Sequence, residues 1–182
     1  MILDKPIITD RILMRTLDPG CLGSYWRWLN DPSINRYLEI RYAMQTEEGV
    51  KRYVEERNAN NVDLLLGMYL RDGERHFGNI KITLSLVNNR GDVGIVLGES
   101  DLWGHGLAAE AIEALVSYAF KSLKLRKVCA SAYSSNKASI STFLKAGFSI
   151  EGALKEHLRD GDDWVDQVYM AIFPEEQSDS SI

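Results

Sequence analysis

Between residues 62 and 97 apolar side chains stop recurring at helical spacing and begin to alternate with polar ones. That change of period constrains the fold most. Residues 62–70, 77–86 and 92–97 each read as a strand, and the turns Arg71-Asp72-Gly73 and Asn88-Asn89-Arg90-Gly91 separate them. Such short, turn-forming links imply an antiparallel meander. Upstream, residues 7–17 read as a first strand closed by Asp18-Pro19-Gly20. Helices are expected over 21–30, ending near Asn30-Asp31-Pro32, and from Thr46, whose hydroxyl can cap the first turn, to about Asn58.

Downstream of the meander, Leu107, Ala111, Leu115 and Ala119, joined by Ile112, Val116 and Leu123, place one strongly apolar face on a helix that must pack on the sheet. Residues 127–134 form a further strand. A short helix is expected over 136–146, ended by Gly147 in a left-handed position. Two strand-like pieces, 148–152 and 164–173, flank a polar stretch. Residues 1–173 are expected to form one domain, and 174–182, acidic and serine-rich, a flexible tail.

At 182 residues, 45% hydrophobic and 26% charged, the chain is long enough to bury a substantial core. A net charge of −5 argues against a nucleic-acid surface, which needs a basic stripe. An acidic protein can still hold an anion through backbone N–H groups. Cys21 and Cys129 suggest neither a disulfide framework nor a metal site, and His76, His105 and His157 have no ligand spacing, so no metal is expected. No apolar run approaches the ~18 residues of a membrane span and the first residues lack a signal-peptide core, so no membrane partner and a cytoplasmic address are expected.

Gly104-His105-Gly106-Leu107-Ala108-Ala109 literally fits the G-x-G-x-x-G/A dinucleotide pattern. That pattern requires a strand running straight into the first glycine and an acid about 20 residues later. Here Gly98-Glu99-Ser100-Asp101-Leu102-Trp103 intervene, and the later region is Lys124-Leu125-Arg126-Lys127-Val128, basic where an acid is required. A Walker loop fails too, since no Gly-Lys-Ser/Thr follows. What survives is a two-glycine loop entering a helix, where bare N–H groups and the helix dipole favour an anion. The alternative is that the glycines only turn the chain.

The stretches DVGIVLGESDLWGHGLAAEAIEALVSYAFKSLKLRKV and NKASISTFLKAGFSIEG resemble acetyl-CoA-dependent N-acetyltransferases of the GNAT superfamily, most closely the RimJ/RimL-like branch. The resemblance spans about residues 7–173 and is most specific over 92–152. It implies an α/β (α+β) fold: a single GNAT-like domain with a mixed, mostly antiparallel central sheet, splayed between 92–97 and 127–134 and flanked by helices. It implies that N–H groups of Gly104, His105, Gly106, Leu107, Ala108 and Ala109 bind the pyrophosphate of coenzyme A. Ile95, Val96 and Leu97 would pair edge-on with its pantetheine amides. Trp103 stands where the wider superfamily has Gln or Arg.

Acetyl transfer to an amine needs a base or water chain, donors for the developing oxyanion and an acid for the thiolate. By resemblance, Asn136 bonds pantetheine or the reacting centre and Ser139 donates to the leaving sulfur; helix capping alone also accounts for both. Phe143 stands where many relatives place the tyrosine acid, which leaves Ser139, a water or no acid. For the base, Asp92 and Glu99 flank the pantetheine strand, with Glu39 and Tyr133 as further candidates. Asp92 equally fits a solvated turn residue. Arg36, Glu39, Arg41 and Tyr42 are candidates for the acceptor pocket. The expected activity is direct transfer of acetyl from acetyl-CoA to a primary amine: a protein N-terminal amine or the amino sugar of a nucleotide sugar. A homodimer is compatible with this reading, and the alternative is a non-catalytic acyl-CoA-binding module.

Overall fold

In the computed structural model, which describes residues 1–174, the alternating segments pair as the expected meander. β3 (Asp63–Leu70), β4 (His76–Ser85) and β5 (Arg90–Leu97) run antiparallel, with Ile80 opposite Ile95 and Leu66 opposite Ile80. The predicted strand over 7–17 is two strands, β1 (Ile7–Ile8) and β2 (Ile12–Thr16), paired antiparallel with each other. The break falls at Thr9, whose N–H donates to the Ile12 carbonyl (2.9 Å) and whose hydroxyl accepts from the Ile12 N–H (3.0 Å). Polar Thr9-Asp10-Arg11 is the turn that the flanking isoleucines disguise.

Helix α1 (Leu22–Asn30) is followed at once by the single turn α2 (Pro32–Asn35). The Asp31 carboxylate accepts from the Ser33 N–H (2.8 Å) and Pro32 fills the first helical position, so the residues expected to close one helix also open the next. α3 (Glu47–Ala59) starts as expected, with the Thr46 hydroxyl accepting from the Gly49 N–H (3.0 Å). The remaining elements are α4 (Leu107–Lys121), β6 (Lys127–Tyr133), α5 (Lys137–Lys145), β7 (Ser149–Asp160) and β8 (Asp163–Ile172). Gly147 takes φ +88° after α5, the left-handed stop the sequence called for.

The polar stretch expected between the last two strands is itself strand. β7 and β8 extend toward each other into one long hairpin, paired out to Asp160 opposite Asp163 and closed by Gly161 at φ +69°. The outer half of this arm is solvated, so its residues carry no apolar alternation for periodicity to detect. The segment from 175 onward, where a flexible tail was expected, lies outside the described residues.

The sheet order is β1-β2-β3-β4-β5-β6-β8-β7, and every ladder is antiparallel except β5–β6. Parallel neighbours require a crossover, and α4 supplies it across one face. Leu107, Ile112 and Leu115 of α4 pack there on Ile12, Ile80 and Val93; α1 and α3 cover the opposite face through Trp28, Val50 and Val54. The parallel ladder holds only from Arg90–Lys127 to Val93–Ala130. Beyond it β5 and β6 part, which is the expected splay. Among the described residues no helix is long and apolar enough to cross a membrane.

The end of β5 is fixed by a close approach. A Cβ on Gly98 would overlap the ring of Trp28, which is 1% exposed and donates its indole N–H to Glu99 (3.1 Å). We expect Gly98→Ala to destabilise the fold by about 1–3 kcal/mol through overpacking, read as a lower denaturation midpoint at unchanged slope. An unchanged midpoint would show that the indole yields freely.

Candidate active site

The gap where β5 and β6 part opens into a cleft of about 920 Å³ that runs from the glycine loop, past α5, to the space beneath α1 and α3. Ile95, Val96 and Leu97 are bonded to β4 along one edge and have no β6 partner along the other. A row of strand-like donors and acceptors therefore faces the cleft. The Leu97 carbonyl is occupied by the indole N–H of Trp103 (3.2 Å), a half-exposed cleft residue that ties the loop back to the strand.

The loop leaves a run of backbone donors unpaired. Gly104 and Gly106 take φ +80° and +79°, a region that disfavours other residues and that turns successive N–H groups toward one side. Gly106 caps α4 with no side-chain bond, and the first helical bond runs from Glu110 N–H to Gly106 O (3.2 Å). No backbone N–H from Gly104 to Ala109 donates to a protein acceptor among the described residues. Unsatisfied donors at a helix N-terminus concentrate positive potential. Gly104, Gly106, Leu107, Ala108 and Ala109 line the cleft; the side chain of His105 does not.

Arg11 fastens this loop, a role invisible in the sequence because its partners lie roughly a hundred residues away. Its guanidinium donates to the His105 carbonyl (2.8 Å) and pairs with Glu110 (2.6 Å), and Thr9 donates to the same carboxylate (2.6 Å). Burial acts to raise the Glu110 carboxyl. The hydrogen bonds from Thr9 and Arg11 and the arginine charge outweigh it and hold the group below its ordinary range.

Across the cleft, Asn136 caps α5 through its side-chain oxygen, which accepts from the Ser139 N–H (3.1 Å). Both residues line the cleft, so capping does not take them away from it. Phe143, one turn beyond Ser139, is buried edge-on against Phe148 at 5.1 Å and offers no hydroxyl.

The candidate bases separate clearly. Asp92 is not on the cleft lining: it lies in the part of β5 still paired with β6, opposite Cys129, and bonds Arg90 (3.1 Å). Glu99 is likewise outside the lining, held by Arg27 (2.7 Å), Arg75 and the Trp28 indole. Burial acts to raise its carboxyl, but those donors and the arginine charges keep it below the ordinary range. Glu39 is the one carboxylate among the described residues lining the cleft. Tyr133 lines it too, its phenol pushed up by burial against the opposing charge of Arg41 and with a further upward push from Glu39. Arg36 is on the lining, whereas Arg41 and Tyr42 fasten the β7–β8 arm by bonding the Arg159 carbonyl (3.0 and 2.6 Å).

Comparison with known proteins agrees with this geometry. The family model described as Acetyltransferase (GNAT) domain matches residues 11–149. The chain is 27% identical over 170 residues to a Bacillus subtilis protein named Uncharacterized N-acetyltransferase YnaD, covering 93% of this chain and 98% of that one. A spermidine N-acetyltransferase from Vibrio cholerae, solved with CoA and spermine, shares the fold at a TM-score of 0.83 and 18% identity, covering 91% of this chain and 96% of that one. RimL, a ribosomal L7/L12 alpha-N-protein acetyltransferase solved with coenzyme A, also reaches 0.83, at 14% identity over 93% and 98% of the two chains. The chain belongs to the GNAT acetyltransferase family.

Proposed function

We propose that the protein transfers acetyl from acetyl-CoA directly to a primary amine, with both substrates in the cleft together. The observation that carries this reading is the conjunction of an unpaired β5 edge with a loop whose N–H groups from Gly104 to Ala109 have no protein partner. Ile95, Val96 and Leu97 offer the edge that an amide-bearing pantetheine arm completes as an extra strand. The loop and the α4 N-terminus offer the pyrophosphate its donors, with Arg11 holding them in place.

Acetyl-CoA supplies the acyl thioester; the chain positions the amine and manages its proton. Glu39 takes the base role in place of Asp92, because it alone among the described carboxylates faces the cleft. Direct contact is unnecessary, since one water suffices to relay a proton. Asn136 and Ser139 stand where the thioester end of the arm would lie, with the Ser139 hydroxyl as donor to the departing sulfur.

A protein N-terminal amine and the amino sugar of a nucleotide sugar both present the required primary amine. The polyamine named for the Vibrio neighbour is disfavoured here, because Arg36 and Lys81 on the lining would repel a polycation that Glu39 alone could answer. Incubation with acetyl-CoA and a panel of amines, following free thiol, tests the activity. We expect saturable release that depends on the acceptor. Saturable binding of acetyl-CoA with no thiol released for any amine would instead support a non-catalytic acyl-CoA-binding module.

A further inference from the structure

The cleft continues past the point where the strands part into a chamber roofed by Tyr25 and Leu29 of α1 and by Val50 and Tyr53 of α3, with Asn79 and Lys81 of β4 on its floor. Lys81 lies directly across the ladder from Gly94, the first β5 residue beyond the β5–β6 pairing. The chamber thus adjoins the place where the proposed transfer would occur. Opposed residues on neighbouring strands are close, and Gly94 presents no side chain to screen Lys81 from the gap.

The polar groups in this chamber are donors in want of an acceptor. The Lys81 ammonium reaches the Tyr53 hydroxyl at 3.3 Å and has no carboxylate within ion-pair distance among the described residues. Asp63, the acid whose charge it influences, is 1% exposed and committed to Arg57 (2.8 Å), Asn60 (2.9 Å) and Thr83 (2.6 Å). Asn79 is 3% exposed; its side-chain oxygen bonds His76 (2.9 Å), while its nitrogen is buried with no partner. An ammonium and a buried amide N–H are costly to dehydrate unless a ligand answers them, and the group that answers both is an anion.

We propose that this chamber is the anion subsite of the acceptor pocket: Lys81, assisted by Asn79, seats the carboxylate or phosphate of a small amine whose nitrogen points back toward Glu39. The inference rests on the acetyltransferase reading for its geometry, and it narrows the acceptor to anionic primary amines. Leu29, Val50 and Leu65 leave the rest of the chamber apolar, suited to a short hydrocarbon link between the two charged ends. Lys81 is a specificity-determining residue here and takes no part in moving the proton.

The test compares matched acceptors on the full chain: L-alanine against L-alaninamide for a carboxylate, and 2-aminoethyl phosphate against ethanolamine for a phosphate, with spermidine as the polycation. We expect kcat/KM to favour at least one charged member over its uncharged partner by about a hundredfold, and Lys81→Met to remove that preference mainly through KM. Stabilisation by coenzyme A should be the same in the variant, which controls for folding. The pair that shows the preference tells carboxylate from phosphate. Equal use of charged and uncharged amines, preference for spermidine, or an equal loss for all acceptors in Lys81→Met would overturn the proposal. Calorimetric titration of the same amines into the coenzyme A complex separates the two readings: anionic amines that bind wild type but not Lys81→Met without releasing thiol would sink acetyl transfer and keep the anion subsite, and no binding would sink the subsite.

Discussion

Replacing Gly106 with aspartate is expected to leave a folded protein that no longer binds coenzyme A. The backbone there has φ +79°, a region that aspartate tolerates better than most residues. A Cβ at this position meets nothing nearer than the Arg11 guanidinium at 3.6 Å, so the new carboxylate gains a cation to pair with. Its effect on the ligand is the reverse. It would set a negative charge among the N–H groups proposed to hold the pyrophosphate and fill the space over bare backbone. Titration calorimetry should show affinity lower by at least about a thousandfold, roughly 4 kcal/mol. Retained affinity would remove the phosphate site from this loop, and the melting temperature of the unliganded variant reports independently on folding.

Glu39→Gln is expected to lower turnover by about two to four orders of magnitude while leaving acetyl-CoA binding intact. The substitution keeps the shape and removes only the ability to accept a proton. Glu39 lies among the residues that follow α2, on a different element from the glycine loop, so the shape-conserving change should leave the proposed coenzyme seat intact. Asp92→Asn is the matched comparison, because Asp92 is an acid of the neighbouring strand directed to Arg90 and not to the cleft. Free-thiol kinetics under saturating acetyl-CoA distinguishes them. A larger loss in Asp92→Asn than in Glu39→Gln would return the base to β5.

Features that depend on local chemistry were legible in the sequence. Gly104 and Gly106 announce positive φ, Thr46 and Asn136 announce caps, Gly147 announces a stop, and each does what its side chain, or lack of one, permits. The meander followed from alternation in strands with one face on each core. The β7–β8 arm escaped because its outer half buries neither face, leaving composition as the only guide, and composition there looks like a loop. The first strand was read as one because Ile7, Ile8 and Ile12 mask a turn held by a single threonine.

The acids show where local reasoning ends. Asp92, Glu99 and Glu39 are alike in type, and proximity in sequence to the strand proposed to hold pantetheine favours the first two. Only the registers β4–β5 and β5–β6 reveal that Asp92 lies below the parting of the strands, and only tertiary contacts reveal that Glu99 is surrounded by Arg27 and Arg75. Arg11 and Lys81 are harder still, since each acquires its meaning from residues on other elements. Nothing in their own neighbourhoods marks them.

The short parallel ladder between Arg90 and Val93 divides the sheet into two leaves, β1 to β5 on one side and β6 to β8 on the other, hinged along four residue pairs. Elsewhere the leaves are bridged from outside, by α4 and α5 on one face and by Tyr37 and Arg41 reaching from the α2 region to Ser135 and Asp160 on the other. A ligand strand lying in the wedge would act as a splint across that hinge. The coenzyme would then contribute stiffness as well as an acyl group, and the cleft, lined by Val96 on one leaf and Tyr133 on the other, would reach its working shape only when the splint is in place.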